Sequence, residues 1–305
     1  MVIPEKFQSK IIGAFGEEGR RWLETLDDRL RRYAERWELQ IGEPYANLSY
    51  NYVVKAVDST GELVVLKLGV PNFDTRNEIH TLETYQGEGC VRLLKSDPAE
   101  GVFLLERLSP GTMLKELGED AALEQAMNVW KALRRPVPAG FRGPSIMDWA
   151  RGLEQYEQRY ISGEMPIPAE AVETARDLFR ELTETSEGAE LLHGDLHHQN
   201  ILYSEQRGWI AIDPKGVAGD PYFGLITFLH NELHHNTNPK QLLRRRIEGL
   251  CSGLRLDKTR LLQAAFSLTV LYACWAAEDQ DSFMKETYRC AEWYGEWLRE
   301  EEIVS

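Results

Sequence analysis

The segment Leu191-Leu192-His193-Gly194-Asp195-Leu196-His197-His198-Gln199-Asn200 sets a carboxylate and an amide five positions apart. A second carboxylate, Asp213, ends the string Ile210-Ala211-Ile212-Asp213. These residue types at this spacing suit phosphoryl transfer from ATP. That reaction needs a carboxylate to orient the acceptor hydroxyl, and hard oxygen ligands that hold magnesium on the phosphates. Asp195 is the candidate for the first task, accepting the hydroxyl proton or holding the hydroxyl in line with the γ-phosphate. Asn200 and Asp213 are the candidate magnesium ligands. A transition-metal site fits worse, because adjacent His197 and His198 cannot both face one point on a regular element and no HExxH occurs.

Those residues need elements to position them. Strand-like residues 200–203 and 209–213 flank a polar turn, so a hairpin brings Asn200 and Asp213 to the same end, facing the loop. Upstream, 50–57 and 62–68 read as strands about the turn Asp58-Ser59-Thr60-Gly61, and 101–108 as a buried strand ending at Ser109-Pro110-Gly111. Pro71-Asn72-Phe73-Asp74 precedes a predicted helix that runs through about Tyr85, capped by Asp74 or Thr75. Residues 17–39 carry Trp22, Leu26, Leu30, Tyr33 and Trp37 at helical spacing, an amphipathic leading helix. The remaining chain is mostly helical, over 113–117, 121–133, 146–158, 168–184, 240–251, 258–278 and 281–300. The expected fold class is α+β and bilobal. Residues 1–108 form a small, strand-rich nucleotide-binding lobe, and 109–305 a larger helical lobe that carries the catalytic hairpin and the acceptor site.

Composition narrows the partners. With 49 acidic against 35 basic residues, the formal net charge is −14. Nucleic acid and anionic membrane are poor partners for such a chain, since phosphate binding needs a basic footprint. The charge suits solubility and is compatible with a cationic substrate. The N-terminal residues carry no apolar run of the secretory kind, and the apolar stretch 268–277 is half the length of a membrane span. Four dispersed cysteines without CxxC spacing read as reduced thiols. A cytoplasmic location is expected, and monomer and homodimer both stay open.

His193-Gly194-Asp195 with Asn200 resembles the HGDxxxxN loop of aminoglycoside phosphotransferases, the counterpart of the protein-kinase HRDxxxxN loop. The longer string through Asp213-Pro214-Lys215-Gly216-Val217-Ala218-Gly219-Asp220-Pro221 resembles the branch of streptomycin 6-phosphotransferases and hydroxyurea-resistance kinases. Phe228-Leu229-His230-Asn231 and Ala273-Cys274-Trp275-Ala276-Ala277-Glu278-Asp279 extend the likeness, which runs from about residue 44 to 281.

The resemblance implies a protein-kinase-like fold, ATP and magnesium as cofactors, and γ-phosphate transfer to a hydroxyl of streptomycin or a related aminoglycoside. Another small hydroxylated metabolite or hydroxyurea stays open as acceptor, as does a catalytically silent binding protein. It further implies that Lys67 pairs the α- and β-phosphates, with Glu78 as its ion-pair partner and Glu83 as the rival. Phe103 would line the nucleotide pocket, and backbone groups from Glu106 to Leu108 would meet the purine edge. Kinases cover the phosphates with a glycine-rich loop, but none follows Gly42 here, so amides near Asn47 and Ser49 would take that task. Lys215 would offset charge on the transferred group. A cationic acceptor would be met by Asp148, Trp149, Glu232, Trp275, Glu278 and Asp279. Gly224 departs from the family, which often carries there an acidic brace for the catalytic loop; either Asp220 or Glu232 compensates, or the brace is absent.

Overall fold

Burial alternates residue by residue along 51–57, the signature of a strand packed on one face. A computed structural model, which describes residues 3–161, 163 and 165–304, builds a five-stranded antiparallel sheet around it. The chain divides into two compact units: residues up to Gly111 with Tyr203–Gly208, and Thr112–Leu202 with the residues from Trp209 on.

The first unit runs α1 (Glu5–Arg36), β1 (Gln40–Pro44), β2 (Asn51–Val57), β3 (Leu63–Gly69), α2 (Phe73–Tyr85), β4 (Leu93–Asp97) and β5 (Val102–Glu106). Strand order is β1-β2-β3-β5-β4. Helix α1 covers one face, where its Phe7, Ile11, Trp22, Leu26 and Tyr33 pack on Tyr52, Val54, Leu66, Leu68 and Leu104. Each of these large apolar side chains contributes roughly 1.5–3 kcal/mol by leaving water. The period of two then sends Val53, Lys67 and Phe103, which stand side by side in register, to the other face. The leading helix starts at Glu5, earlier than the 17–39 expected, breaks at Gly16 (φ 56°) and stops at Arg36, so residues 40–44 form a strand. Neither β1 nor β4 was legible, because both are edge strands with little buried apolar surface. The cap of α2 is Asn72, whose Oδ1 accepts from the Thr75 N–H at 2.8 Å, rather than the expected Asp74 or Thr75, which lie further along the chain.

The second unit contains α3 (Glu119–Leu133), α4 (Ile146–Arg159), α5 (Ala169–Glu184), β7 (Glu190–Leu192), β10 (Val217–Gly219), α6 (Ile226–His230), α7 (Pro239–Leu254), α8 (Lys258–Glu278) and α9 (Met284–Val304), while β6 (Pro110–Met113), β8 (Ile201–Ser204) and β9 (Gly208–Ala211) are each divided between the two units. The helix predicted over 113–117 is a single 3-10 turn, Leu114–Glu116, because β6 occupies the residues before it. The ribbon of β7 against β10, three residues on each side, is too short to leave a periodic signal. At the core, α8 packs against α4, α5 and α9. The apolar stretch 268–277 is only part of this helix. All 21 residues together are long and apolar enough to cross a membrane, and 61% of the apolar window is buried within the fold.

Candidate active site

In the first unit, the Lys67 ammonium lies 2.6 Å from the Glu78 carboxylate, with Lys67 only 3% exposed. The alternation of β3 turns Lys67 away from α1, and Glu78 lies among the buried residues of α2. Glu83, the rival, is exposed and meets His80 Nδ1 at 3.1 Å. Phe103 stands opposite Lys67 in the ladder, its ring centroid 5.4 Å from the ammonium. Desolvation of a buried ion pair can cost more than the attraction returns, so burial of this pair is weak evidence for a role in stability. At the end of β5, the Glu106 N–H donates to the Arg92 carbonyl at 3.1 Å and the Arg107 N–H to the Leu63 carbonyl at 3.2 Å. The Glu106 carboxylate accepts from the Arg92 N–H at 2.8 Å and from the Arg207 guanidinium, and Leu108 is buried. Asn47 and Ser49 are exposed on the connection between β1 and β2.

In the second unit, residues 193–200 run from the end of β7 to the start of β8. His193 is buried, and burial pulls its imidazole down to about 4, so the ring is neutral near pH 7. Its Nε2–H donates to the Ile212 carbonyl at 2.8 Å, and its Nδ1 accepts the Asp195 N–H at 3.2 Å. The His193 carbonyl accepts from the N–H groups of Lys215 and Gly216 at 2.7 and 3.2 Å. Gly194 adopts φ 80°, and a Cβ there would come within 3.2 Å of Lys215 and 3.5 Å of the Trp149 ring, so a side chain has neither the conformation nor the space. Asp195 keeps a partly open carboxylate, 3.4 Å from the Lys215 ammonium and 3.8 Å from His197 Nε2. Burial lowers His197 as well, against the raising pull of Asp195. Asn200 Nδ2 donates to the Asp195 carbonyl at 3.0 Å, and the Asn200 carbonyl accepts the Ile212 N–H at 2.9 Å. The hairpin therefore brings the Asn200 backbone beside Ile212, next to Asp213. Asp213 holds φ 59°, a conformation uncommon for a residue with a side chain.

The acceptor candidates separate into distinct situations. Trp149 of α4 and Trp275 of α8 meet edge to face with centroids 6.0 Å apart. Tyr272, which the sequence reading passed over, lies one turn before Trp275 with ring centroids 5.8 Å apart. Burial, helped by the Asp195 charge, pushes its phenol up against the lowering effect of its hydrogen bond with Thr227 at 3.3 Å. Glu278 faces Arg159 at 4.0 Å. Asp148 is engaged in a capping box: it accepts the Ser145 N–H at 2.8 Å and hydroxyl at 2.7 Å, while Ser145 Oγ accepts the Asp148 N–H. Asp279 is exposed at the C-cap of α8, and the Glu232 carboxylate accepts from Gln199 Nε2.

The family described as aminoglycoside/hydroxyurea antibiotic resistance kinase matches residues 36–280. The chain is 32% identical to a streptomycin 6-kinase of Streptomyces glaucescens, over 91% of each protein. It is also 32% identical to a hydroxyurea phosphotransferase of Kitasatospora aureofaciens, over 89% of this chain and 79% of that protein. Among solved structures, a choline kinase of Streptococcus pneumoniae superposes with a TM-score of 0.61 at 14% identity, covering 90% of this chain and 99% of the other. A thermostable aminoglycoside phosphotransferase mutant solved with ADP and hygromycin B gives 0.61 at 13% identity, covering 87% and 97%. At such identity the two structures speak to the fold, which is α+β and kinase-like, with an antiparallel sheet in one unit and helices in the other. The family match over most of the length, together with relatives above 30% identity, identifies the chain as a phosphotransferase of the aminoglycoside/hydroxyurea antibiotic resistance kinase family.

Proposed function

We propose that the chain transfers the γ-phosphate of ATP, with magnesium, to a hydroxyl of streptomycin or a related aminoglycoside. The observation that carries this reading is the Asp195 carboxylate, partly open, 3.4 Å from a lysine ammonium, and tied through its own backbone to Asn200 and His193. Asp195 takes the role of orienting the acceptor hydroxyl and receiving its proton. Lys215 offsets negative charge on the group in transfer. Lys67, fixed by Glu78, is assigned to the α- and β-phosphates, and amides around Asn47 and Ser49 to the remaining phosphate oxygens. Since the N–H groups of Glu106 and Arg107 are engaged in the sheet, the purine edge is assigned to the Glu106 carbonyl and the Leu108 N–H, with Phe103 behind.

The donor set fits magnesium, a hard cation that prefers oxygen. Asn200 has its amide nitrogen on the Asp195 carbonyl, so its Oδ1 would be the atom to hold magnesium, and Asp213 would add a carboxylate. Bound magnesium would neutralise charge on the phosphates. In this reading residues 1–108 serve the nucleotide, residues 109–305 serve catalysis and the acceptor, and the protein works in the cytoplasm.

Trp149, Trp275 and Glu278 offer aromatic faces and a carboxylate to guanidinium groups, and the net charge of −14 attracts such a cation. Glu232 and Asp279 stay assigned to its outer contacts. A second reading, hydroxyurea or another small hydroxylated molecule as acceptor, is favoured by the equal identity to the hydroxyurea phosphotransferase. Purified protein with magnesium ATP, assayed for phosphate transfer to streptomycin, other aminoglycosides and hydroxyurea, separates the two. Transfer to hydroxyurea alone would overturn the aminoglycoside reading. The Asp195→Ala variant is expected to lose turnover and keep nucleotide binding.

A further inference from the structure

Position 224, where the resemblance leads to an acidic brace for the catalytic loop, carries glycine. A Cβ there would meet Trp130 Nε1 at 3.2 Å, so the Trp130 indole crowds the position a brace would use. Asp220 does not substitute for it. Its carboxylate accepts from the Tyr222 N–H at 3.0 Å and from Arg260 at 2.6 Å. The loop is nevertheless held from outside. The His198 N–H donates to Asn231 Oδ1 at 3.2 Å, and the next residue, Gln199, donates through Nε2 to the Glu232 carboxylate.

Asn231 and Glu232 follow directly on α6, a helix of five residues, with Glu232 at φ 62°. So short a helix has few bonds of its own, and its last carbonyls need outside donors. Arg246 of α7, 1% exposed, supplies them. Its Nη1 lies within hydrogen-bond distance of the carbonyls of Phe228 (3.2 Å), Leu229 (3.0 Å) and Asn231 (2.6 Å). Nε and Nη2 donate to the Glu119 carboxylate at 2.6 and 3.0 Å. Burial alone would raise Glu119, but the Arg246 hydrogen bonds and charge outweigh it and hold the carboxyl below its usual range. The guanidinium also lies 5.3 Å from the Phe228 ring, and His198 stacks on that ring at 4.4 Å. A planar fork used on both sides fixes a backbone turn as a flexible ammonium would not.

We propose that Asn231 is a positioning residue for phosphoryl transfer. Held in place by Arg246, its Oδ1 fixes the His198 N–H and with it the geometry of the loop from Asp195 to Asn200. The inference rests on reading Asp195 as the acceptor-orienting carboxylate.

Asn231→Leu keeps the size and removes the acceptor, whereas Asn231→Asp keeps an oxygen at the same place. With magnesium ATP and streptomycin, Asn231→Leu is expected to lower kcat about 10–100-fold while the KM for ATP stays within about twofold, and Asn231→Asp to recover most of it. Amide exchange needs no acceptor: the His198 N–H should exchange about tenfold faster in Asn231→Leu and at the wild-type rate in Asn231→Asp. If Asn231→Leu does not fold, Asn231→Ala takes its place. Wild-type kcat and exchange in the leucine variant, or equal losses in both variants, would overturn the proposal. Asp195→Asn in the same assay separates the two readings: wild-type turnover there removes the catalytic role of Asp195, while the His198 exchange rate still judges the brace.

Discussion

The N–H of Asp195 donates to Nδ1 of His193 at 3.2 Å, and the other nitrogen of the same ring donates to the Ile212 carbonyl at 2.8 Å. One neutral imidazole thus ties the loop carrying Asp195 to the strand end carrying Asp213. Both bonds require Nε2 protonated and Nδ1 bare, which is the neutral form that burial enforces.

This arrangement predicts acid lability. His193 and His198 are held near about 4 by burial, against about 6.5 for an unfolded histidine. Between those values the unfolded chain binds more protons than the folded one, so stability falls as pH drops below about 6.5 and is flat above it. The loss is about 2 kcal/mol for each histidine at pH 5. Thermal melts from pH 7.5 to 5 should show it, and His193→Gln should melt lower at pH 7.5 but lose about half as much on acidification. Parallel pH profiles for the variant and the wild type would count against His193 as a source.

The Lys67–Glu78 pair separates stability from activity. Lys67→Met removes the ammonium from beside the buried Glu78 carboxylate, at a cost of about 3–5 kcal/mol in urea unfolding. Adding Glu78→Leu removes that carboxylate and should restore much of the stability. Turnover should stay lost in both variants, because neither presents an ammonium to the phosphates. A double variant that regains activity along with stability would reduce the pair to a packing device.

Magnesium demand tests Asn200. Its Nδ2 binds the Asp195 carbonyl, so its Oδ1 is the oxygen assigned to the metal. Asn200→Ala should raise the magnesium concentration for half-maximal activity about tenfold, since one oxygen ligand is lost. Asn200→Asp should keep a ligand but lose the donor to Asp195. An unchanged magnesium titration in Asn200→Ala would remove this residue from the metal site.

What was legible in the sequence, and what was not, follows from where each signal is stored. The Asp195–Asn200 loop, the hairpin and Lys67 on an alternating strand are local patterns, and they stand in the structure as read. The preference for Glu78 over Glu83 as the partner of Lys67 comes from the resemblance, and the structure pairs Lys67 with Glu78 because Glu78 lies on the buried face of α2 while Glu83 is exposed. The bracing by Asn231 and Arg246 was not legible. Arg246 lies 48 residues from His198 on a basic stretch of α7 that reads as a solvated face, and only packing buries it. Tyr272 was missed for a similar reason, as α8 is apolar on most sides and no stripe marks the residues beside Trp275.

Asp148 and Trp149 are neighbours in sequence with opposite expected fates. The Asp148 carboxylate closes the capping box with Ser145, which holds it below its usual range through hydrogen bonds from the Ser145 side chain and backbone. It also meets Arg151 at 3.0 Å. Asp148→Ala should therefore cost about 1 kcal/mol of stability through the start of α4 and leave the acceptor KM near wild type. Trp149 carries its ring to the edge of Trp275 and to the space above Gly194, beside Asp195. Trp149→Ala should raise the KM for a guanidinium-bearing acceptor about tenfold, the size of a lost cation–π contact in a partly dry site, and leave the KM for ATP unchanged. Measuring both Michaelis constants and the melting temperature for the two variants assigns each residue. An acceptor KM that rises in Asp148→Ala but not in Trp149→Ala would move the acceptor from the aromatic faces of α4 and α8 to the N-terminus of α4.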